Sequence, residues 1–378
     1  MDFLNAVVGS INDFLWTYII IVVLVGSGLW FTLSTGLVQL RALPEMVRLL
    51  AGDLGRRPSG RKAISSFQAF CVSTASRVGV GNIAGVAIAI VTGGPGAVFW
   101  MWVIAFIGTA TGFVESTLAQ IYKIPRGHGL FHGGPAYYIR NALGQPAVAK
   151  LFAVLISVTF GLIYVSVQAN TIALSMEKAF GIDTYLVGGV LAVLAGAVIF
   201  GGIQRVASFS ALLVPIMAGI YLLIALIIFL MHIDQVPAMF ALILHDAFSP
   251  QAAVGGGIGT AILTGIRRGL FSNEAGEGSI PNAAATANVT HPVKQGLVQA
   301  FGVYVDTWIV CSATAFIVLL TGQYTIGGDT TGIALAQDSL ASVFGPLASS
   351  LLAVLIFLFA FSSVVGNYYY GEINIHFI

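Results

Sequence analysis

The feature that most constrains this chain is a succession of apolar stretches as long as a bilayer is thick. About 20 apolar residues in a helix cross the hydrocarbon core. On that yardstick nine segments emerge, at 12–36, 66–93, 96–122, 147–173, 184–202, 206–231, 257–287, 296–322 and 343–369. Of 378 residues, 57% are hydrophobic and only 8% charged, whereas about one quarter of a soluble domain is charged. The sequence predicts an all-α polytopic membrane protein in a single transmembrane domain, 1–378. The first apolar run, Phe14 to Phe31, follows Asp2 and Asp13 rather than a basic stretch and is long for a signal peptide. It reads as a retained helix in contact with the lipid bilayer.

Alternating sides down this series puts loops 37–65, 123–146, 203–205 and 288–295 on one face, with Arg41, Arg48, Arg56, Arg57, Arg61, Lys62, Lys123, Arg126, Arg140, Arg205 and Lys294, and Lys150 at a helix edge. The other face holds Lys178 alone. Basic loops stay cytoplasmic, so the expected topology is a cell inner (plasma) membrane protein with its N-terminus outside. A formal net charge of +1 argues against nucleic acid as a partner. Cys71 and Cys311 both lie in apolar segments, which argues for packing rather than a disulfide.

Two of the nine segments are interrupted. Segment two carries Thr74-Ala75-Ser76-Arg77-Val78-Gly79-Val80-Gly81-Asn82-Ile83-Ala84-Gly85 at its middle. Segment seven carries Gly255, Gly256, Gly257, Gly259 and Gly265, then Arg267 to Asn282 with Glu274, Gly276, Glu277, Gly278 and Pro281. Glycine costs about 1 kcal/mol of helix propensity relative to alanine, and a lipid-facing helix has no use for such runs. Gly81 and Gly85 also form a GxxxG pair, so close helix packing is the bland reading of segment two. The second interruption favours the alternative: corresponding breaks in two halves of inverted topology mark a midplane binding site.

An unwound helix points freed N–H groups at anions and freed carbonyls at cations, which suits a zwitterionic amino acid. Its carboxylate is expected at the N–H groups of Val80 and Gly81. Its ammonium is expected at carbonyls near Gly269 to Ser272 or at the side-chain amides of Gln168 and Asn170. Carbonyls near Ala75 and Val78, with the hydroxyls of Thr74, Ser362 and Ser363, would suit a small hard cation if segment nine crosses segment two. Back-bonding within their own helix is the simpler reading of the two serines.

Enzymatic readings fare poorly. The histidines lie in loops or at the tail, and no P-loop or nucleophile elbow is present. His128 and His132 have zinc spacing, but the glycines around them argue for a loop rather than the helix such spacing needs. A buried constellation of Glu115, Glu274 and Asp306 is the one enzyme-like arrangement available, and it requires all three to converge.

Gly79 to Gly85, Arg268-Gly269-Leu270-Phe271-Ser272-Asn273-Glu274-Ala275-Gly276, Pro281 to Ala285 and Tyr369-Tyr370-Gly371-Glu372 together resemble the alanine or glycine:cation symporter family, over essentially the whole chain. The resemblance implies the fold of the bacterial leucine transporter: an extra helix (12–36), a first five-helix repeat (66–231) and an inverted second repeat begun at 257–369. It further implies sodium-coupled, less often proton-coupled, uptake of alanine or glycine, with sodium as coupling ion and no other cofactor. The substrate set would be Gly79, Val80, Gly81, Asn82, Gln168, Gly269, Phe271, Ser272 and Asn273, with Phe271 as wall and gate. Sodium would take Thr74, Ala75, Val78, Ser362 and Ser363.

Two departures accompany the resemblance. Arg77 stands where a second sodium site would find a small residue, and is expected to pair with Asp306 or Glu274. Two helices of the family pattern are missing after segment nine, so the chain reads as C-terminally truncated. A membrane protein that binds the amino acid without transporting it is the alternative that this leaves.

Overall fold

The computed structural model describes residues 2–54, 63–249 and 259–378. Gly255, Gly256 and Gly257, and the basic residues Arg56, Arg57, Arg61 and Lys62, lie outside the described residues. The chain is a helical bundle. Its main helices are α1 (Asn5–Ser34), α2 (Ser66–Arg77), α3 (Gly81–Gly93), α4 (Gly96–Ile121), α5 (Pro146–Phe180), α6 (Thr184–Ile199), α7 (Gly202–Met231), α8 (Val236–Ala247), α9 (Thr260–Asn273), α10 (Ile280–Ala284), α11 (Pro292–Thr321), α12 (Gly332–Phe344) and α13 (Pro346–Ile375), and the expected loop 37–65 also holds a helix, Leu43–Asp53. Among the described residues six of these are long and apolar enough to cross a membrane, seven if α2 and α3, bent by 52° at Val78 to Val80, count as one. Outward-facing Leu212, Leu223 and Leu230 on α7 and Leu151 and Leu162 on α5 are positions that lipid, not water, solvates.

Several elements differ from the sequence reading. Amphipathic α8 and α12 fall in stretches assigned to connections, because neither has an apolar run of bilayer length. Met239, Ile243 and Ala247 on one face of α8 are buried, and Gly96 N–H donates to Asp246 Oδ2 at 2.7 Å. The expected loop 123–146 holds a hairpin, β1 (Ile124–Gly127) against β2 (Leu130–His132), and a short helix Pro135–Leu143. His128 sits in the hairpin turn with φ +53°.

α2 begins where its sequence says it should. Ser65 accepts from Gln68 N–H and the Gln68 side chain accepts from Ser65 N–H, both at 3.0 Å, a reciprocal cap. α4 is the post around which the bundle packs, and glycine lets neighbours approach it. A Cβ on Gly265 would stand 2.5 Å from the Ala97 carbonyl, and one on Gly269 2.6 Å from Ile104. At the other flank Gly371 of α13 lies against Gly161 of α5, beside an edge-to-face contact of Phe160 with Tyr370.

Among the described residues the four ion pairs, Arg48–Glu45, Lys178–Asp338, Arg267–Asp13 and His376–Glu372, all involve solvent-reaching side chains. Polar groups inside the bundle are held by hydrogen bonds instead. Cys71 and Cys311 are free and buried.

Overpacking a close contact costs about 1–3 kcal/mol. Gly265→Ala, whose new methyl meets fixed backbone, is therefore expected to lower the thermal midpoint of the purified protein clearly. A midpoint equal to that of the wild type would show that α9 does not rest on α4 through this glycine.

Candidate substrate and cation site

Where α2 stops, Val78 still donates to Thr74 O at 2.8 Å, but its ψ of +85° turns the chain out of the helix. Gly79 N–H, which would otherwise be orphaned, is taken by Asn82 Oδ1 at 2.9 Å. A wide π-helical turn, Gly81–Gly85, then starts α3. α9 ends at Glu274 in the left-handed region, φ +56°. Asn273 Oδ1 accepts from Ala275 N–H at 3.0 Å, and Gly276 and Gly278 carry the turn at φ +88° and +79°. Asn282 Nδ2 closes it on the Gly278 and Ser279 carbonyls.

The two breaks touch. A Cβ on Gly81 would meet the Phe271 ring and Ser272 Cα at 3.3 Å. Asp306 of α11 joins them: Asn82 Nδ2 donates to one of its carboxylate oxygens at 2.7 Å, while Ser272 Oγ and Thr307 Oγ1 donate to the other at 3.0 and 2.9 Å. Thr314 Oγ1 adds a bond to Asn82 O at 2.7 Å.

Gln168 on α5 closes the candidate substrate side, its Oε1 accepting from Val80 N–H at 3.1 Å. One turn earlier on the same helix face, Tyr164 meets Phe271 edge to face, ring centroids 5.3 Å apart. Gly79, Val80, Gly81, Asn82, Gln168, Phe271 and Ser272 are thus assembled in one place. The side-chain amide of Asn82 is committed to the break itself, and Asn273 likewise frames the turn, donating to Thr307 Oγ1 at 3.3 Å. Two expected contributors lie elsewhere. Gly269 faces Met101 and Ile104 of α4, and Asn170 is exposed while Gln168 is buried, since two residues along a helix turn a side chain to the opposite face.

On the candidate cation side, Ser363 Oγ donates to Ala75 O at 2.8 Å and Ser362 Oγ to the same carbonyl at 3.4 Å. Both also back-bond to Phe359 O, at 3.2 and 2.7 Å. A hydroxyl has one proton, so the two carbonyls compete for it: the shorter contact is the cross-helix one for Ser363 and the back-bond for Ser362. Thr74 Oγ1 is buried with no hydrogen-bond partner among the described residues, an oxygen free for a ligand. The set of hydroxyls and carbonyls fits a small hard cation. Phe359 O is an oxygen the sequence reading missed, although it lies one turn before the serines. A Cβ on Gly79 would stand 2.3 Å from Ser363 Oγ and 2.8 Å from Gln168 Oε1. One glycine therefore separates the two sides.

The expected pairing of Arg77 with Asp306 or Glu274 is not formed. Among the described residues no carboxylate lies within 4.0 Å of its guanidinium, which donates to Ser73 O at 3.3 Å, Ser73 Oγ at 2.8 Å and Gln299 Oε1 at 3.3 Å. The reason is direction. Arg77 lies against Gly302 of α11, whereas its neighbour Ser76 faces Glu274, and Asp306 is already occupied by Asn82, Ser272 and Thr307. Among the described residues no three His, Cys, Asp or Glu side chains cluster as a metal site would require.

The model of the sodium:alanine symporter family matches residues 1–378. The chain belongs to the sodium:alanine symporter family. The chain is 52% identical over 377 residues to the amino-acid carrier protein AlsT of Bacillus subtilis, covering 100% of this chain and 79% of AlsT. To the probable sodium/glutamine symporter GlnT of the same organism it is 50% identical, covering 99% of this chain and 78% of GlnT. To the sodium/alanine symporter AgcS of Methanococcus maripaludis it is 39% identical, covering 98% and 83%. The family is one of transporters rather than of enzymes. The family match runs from the first residue of this chain to the last, and the chain spans 79% of AlsT and 83% of AgcS.

If Asp306 holds the breaks together, Asp306→Ala leaves three buried donors without their acceptor, each costing about 1–3 kcal/mol. The expected result is a marked fall in thermal midpoint together with weakened alanine binding, with Asp306→Asn intermediate because one acceptor oxygen remains. Unchanged alanine affinity in the alanine variant would rule out this role.

Proposed function

We propose that this protein is a secondary active transporter that carries a small amino acid, alanine or glycine, into the cell together with sodium. Its membership of the sodium:alanine symporter family supports the reaction class. The observation that carries the mechanism is the junction at Gly79, where a candidate sodium hydroxyl, Ser363, and a candidate substrate amide, Gln168, both crowd the one position that a side chain would occupy.

In this reading Gln168 Oε1 occupies the place of a substrate carboxylate oxygen at Val80 N–H. An arriving amino acid displaces it, puts its carboxylate at the Val80 and Gly81 N–H groups, where the α3 half-helix begins, and leaves the Gln168 oxygen to accept from the ammonium. Phe271, braced by Tyr164, limits the side chain that fits. Sodium takes the oxygens of Ala75, Val78, Phe359, Thr74, Ser362 and Ser363, and pins α13 to the end of α2. Because Ala75 and Val80 belong to one interrupted segment, sodium orders the backbone that the substrate uses, and each ligand favours the other.

The architecture proposed with this function has nine spans, α6 and the α9–α10 pair being the shorter crossings. An extra helix at 12–36 precedes a first repeat, 66–231, and an inverted second repeat begun at 257–369. The N-terminus is outside and the basic loops cytoplasmic in the plasma membrane, in line with the distribution of lysine and arginine.

Labelled alanine uptake into proteoliposomes is expected to depend on an inward sodium gradient, with glycine competing and excess glutamine competing less. Uptake equal with and without the gradient would overturn the reading. Alanine-dependent thermal stabilisation without uptake would instead mark a binding protein. Gly79→Ala should lower sodium and alanine affinity together, each by about tenfold, the equivalent of ~1.4 kcal/mol. Gly85→Ala has open space around it, its nearest neighbour being Val80 O at 3.9 Å, and should leave uptake intact.

A further inference from the structure

Glu274 is buried, 3% exposed, at the break between α9 and α10, and it takes part in none of the ion pairs among the described residues. Its backbone adopts the left-handed region, φ +56°, which a non-glycine residue keeps only when its surroundings enforce it and which gathers at functional positions. Both carboxyl oxygens are engaged by hydroxyls. Ser279 donates to Oε2 at 2.5 Å, and Oε1 lies 2.9 Å from Ser76 Oγ on the last turn of α2. Ser76 Oγ is also 2.5 Å from Asn367 Oδ1 on α13.

A serine hydroxyl has one proton to give, yet Ser76 faces two acceptor oxygens. With the Asn367 amide turned as it stands, the count closes when Glu274 carries a proton, donates it to Ser76 Oγ, and Ser76 donates to Asn367. The surroundings agree. Arg77 on α2 is a buried cation within electrostatic reach, but its Nη2 donates to Ser73 and Gln299 rather than to Glu274. The other titratable groups facing Glu274 are acids or phenols: Glu115 of α4, Asp306 of α11, Glu277 on its own connection, Tyr164 of α5 and Tyr370 of α13.

We propose that Glu274 is a proton-binding site of the transport cycle, holding its proton while the two broken helices are joined through Ser76 and Ser279 and releasing it to water when they part. On release the O–H bond at Oε1 breaks, the electron pair stays with the carboxylate, the proton passes to water, and Ser76, carried off with α2, keeps its hydroxyl on Asn367. The site lies one residue beyond Ala75, so the proton and the sodium ion read the same end of α2. This rests on the symport reading, because it requires a cycle in which α2 and α9 separate.

The test compares the full chain with Glu274→Gln, which keeps the shape and the donor of the protonated acid but cannot release a proton. With equal sodium on both sides, an imposed pH gradient is expected to drive labelled alanine into wild-type proteoliposomes and to do nothing for Glu274→Gln beyond vesicles without protein. A wild type that responds to the sodium gradient and not to the pH gradient overturns the proton site and leaves symport standing. So does a Glu274→Gln variant that follows the pH gradient like the wild type. A wild type driven by neither gradient counts against the symport reading, and the infrared carbonyl stretch of a protonated carboxyl in detergent then decides. The band should be present in the wild type at neutral pH, shifted in heavy water and absent from Glu274→Gln; equal spectra for the two proteins overturn the proposal.

Discussion

The structure depends on how a helix can stay broken in a medium that gives its backbone nothing to bond to. Each N–H or C=O freed at the bilayer's middle must find a partner inside the protein, or unwinding costs several kcal/mol per group. Asn82 and Asp306 meet that demand. The Asn82 amide accepts from Gly79 N–H on one side and donates to Asp306 on the other, and Asp306 passes the connection to Ser272 in the second break. The carboxylate is buried against hydroxyls and an amide, a direct instance of polar groups inside a bundle being satisfied by hydrogen bonds rather than by ion pairs. Cys311, 3.4 Å from Asn82 Nδ2 and 3.2 Å from Ser272 Oγ, fills the remaining space with a weak partner.

From this follows a division among the polar groups of the breaks. Asn82, Asn273 and Asn282 spend their amides on the turns and have little left to offer. Among the described residues Thr74 Oγ1 and Arg77 Nη1 are buried without partners, and Gln168 holds Val80 N–H by a single bond. The uncommitted groups are those that can respond to a ligand, since a group already satisfied gains nothing by exchanging one partner for another. Arg77 Nη1 thus leaves the guanidinium with an unused donor in the bundle, as the paired arginine the sequence suggested would not have had.

The sequence made the breaks legible because their glycines and asparagines are costly in a membrane helix and have no cheaper explanation. It also pointed to Gln168, Ser362 and Ser363 as polar groups in apolar runs, but Asn170 in the same run as Gln168 is exposed. What it could not supply was direction within a turn. Arg77 and Ser76 are adjacent, and only packing decides that the serine meets Glu274 while the arginine slides along Gly302. Gly269 belongs to the same motif as Phe271, yet two residues of helix carry it to the far face, against α4. Hydropathy also passes over α8 and α12, whose burial is one-sided and whose length falls short of a bilayer. The GxxxG reading of Gly81 and Gly85 fails for a related reason: a spacing says that two glycines share a face, not that anything lies against both, and only Gly81 has a close neighbour.

Gly79 shows why the two ligand sides cannot be tuned separately. Ser363 approaches it from α13 and Gln168 from α5, and a methyl group would displace both. Any change in the backbone between Ala75 and Val80 is therefore felt by a hydroxyl on one helix and an amide on another, with no intervening side chain to absorb it. Linkage demands that whatever sodium does to substrate affinity, substrate does to sodium affinity by the same factor. A direct contact through a residue with no side chain is the shortest physical route by which that reciprocity can be realised, and it makes the absence of a Cβ at this position a functional requirement as much as a conformational one.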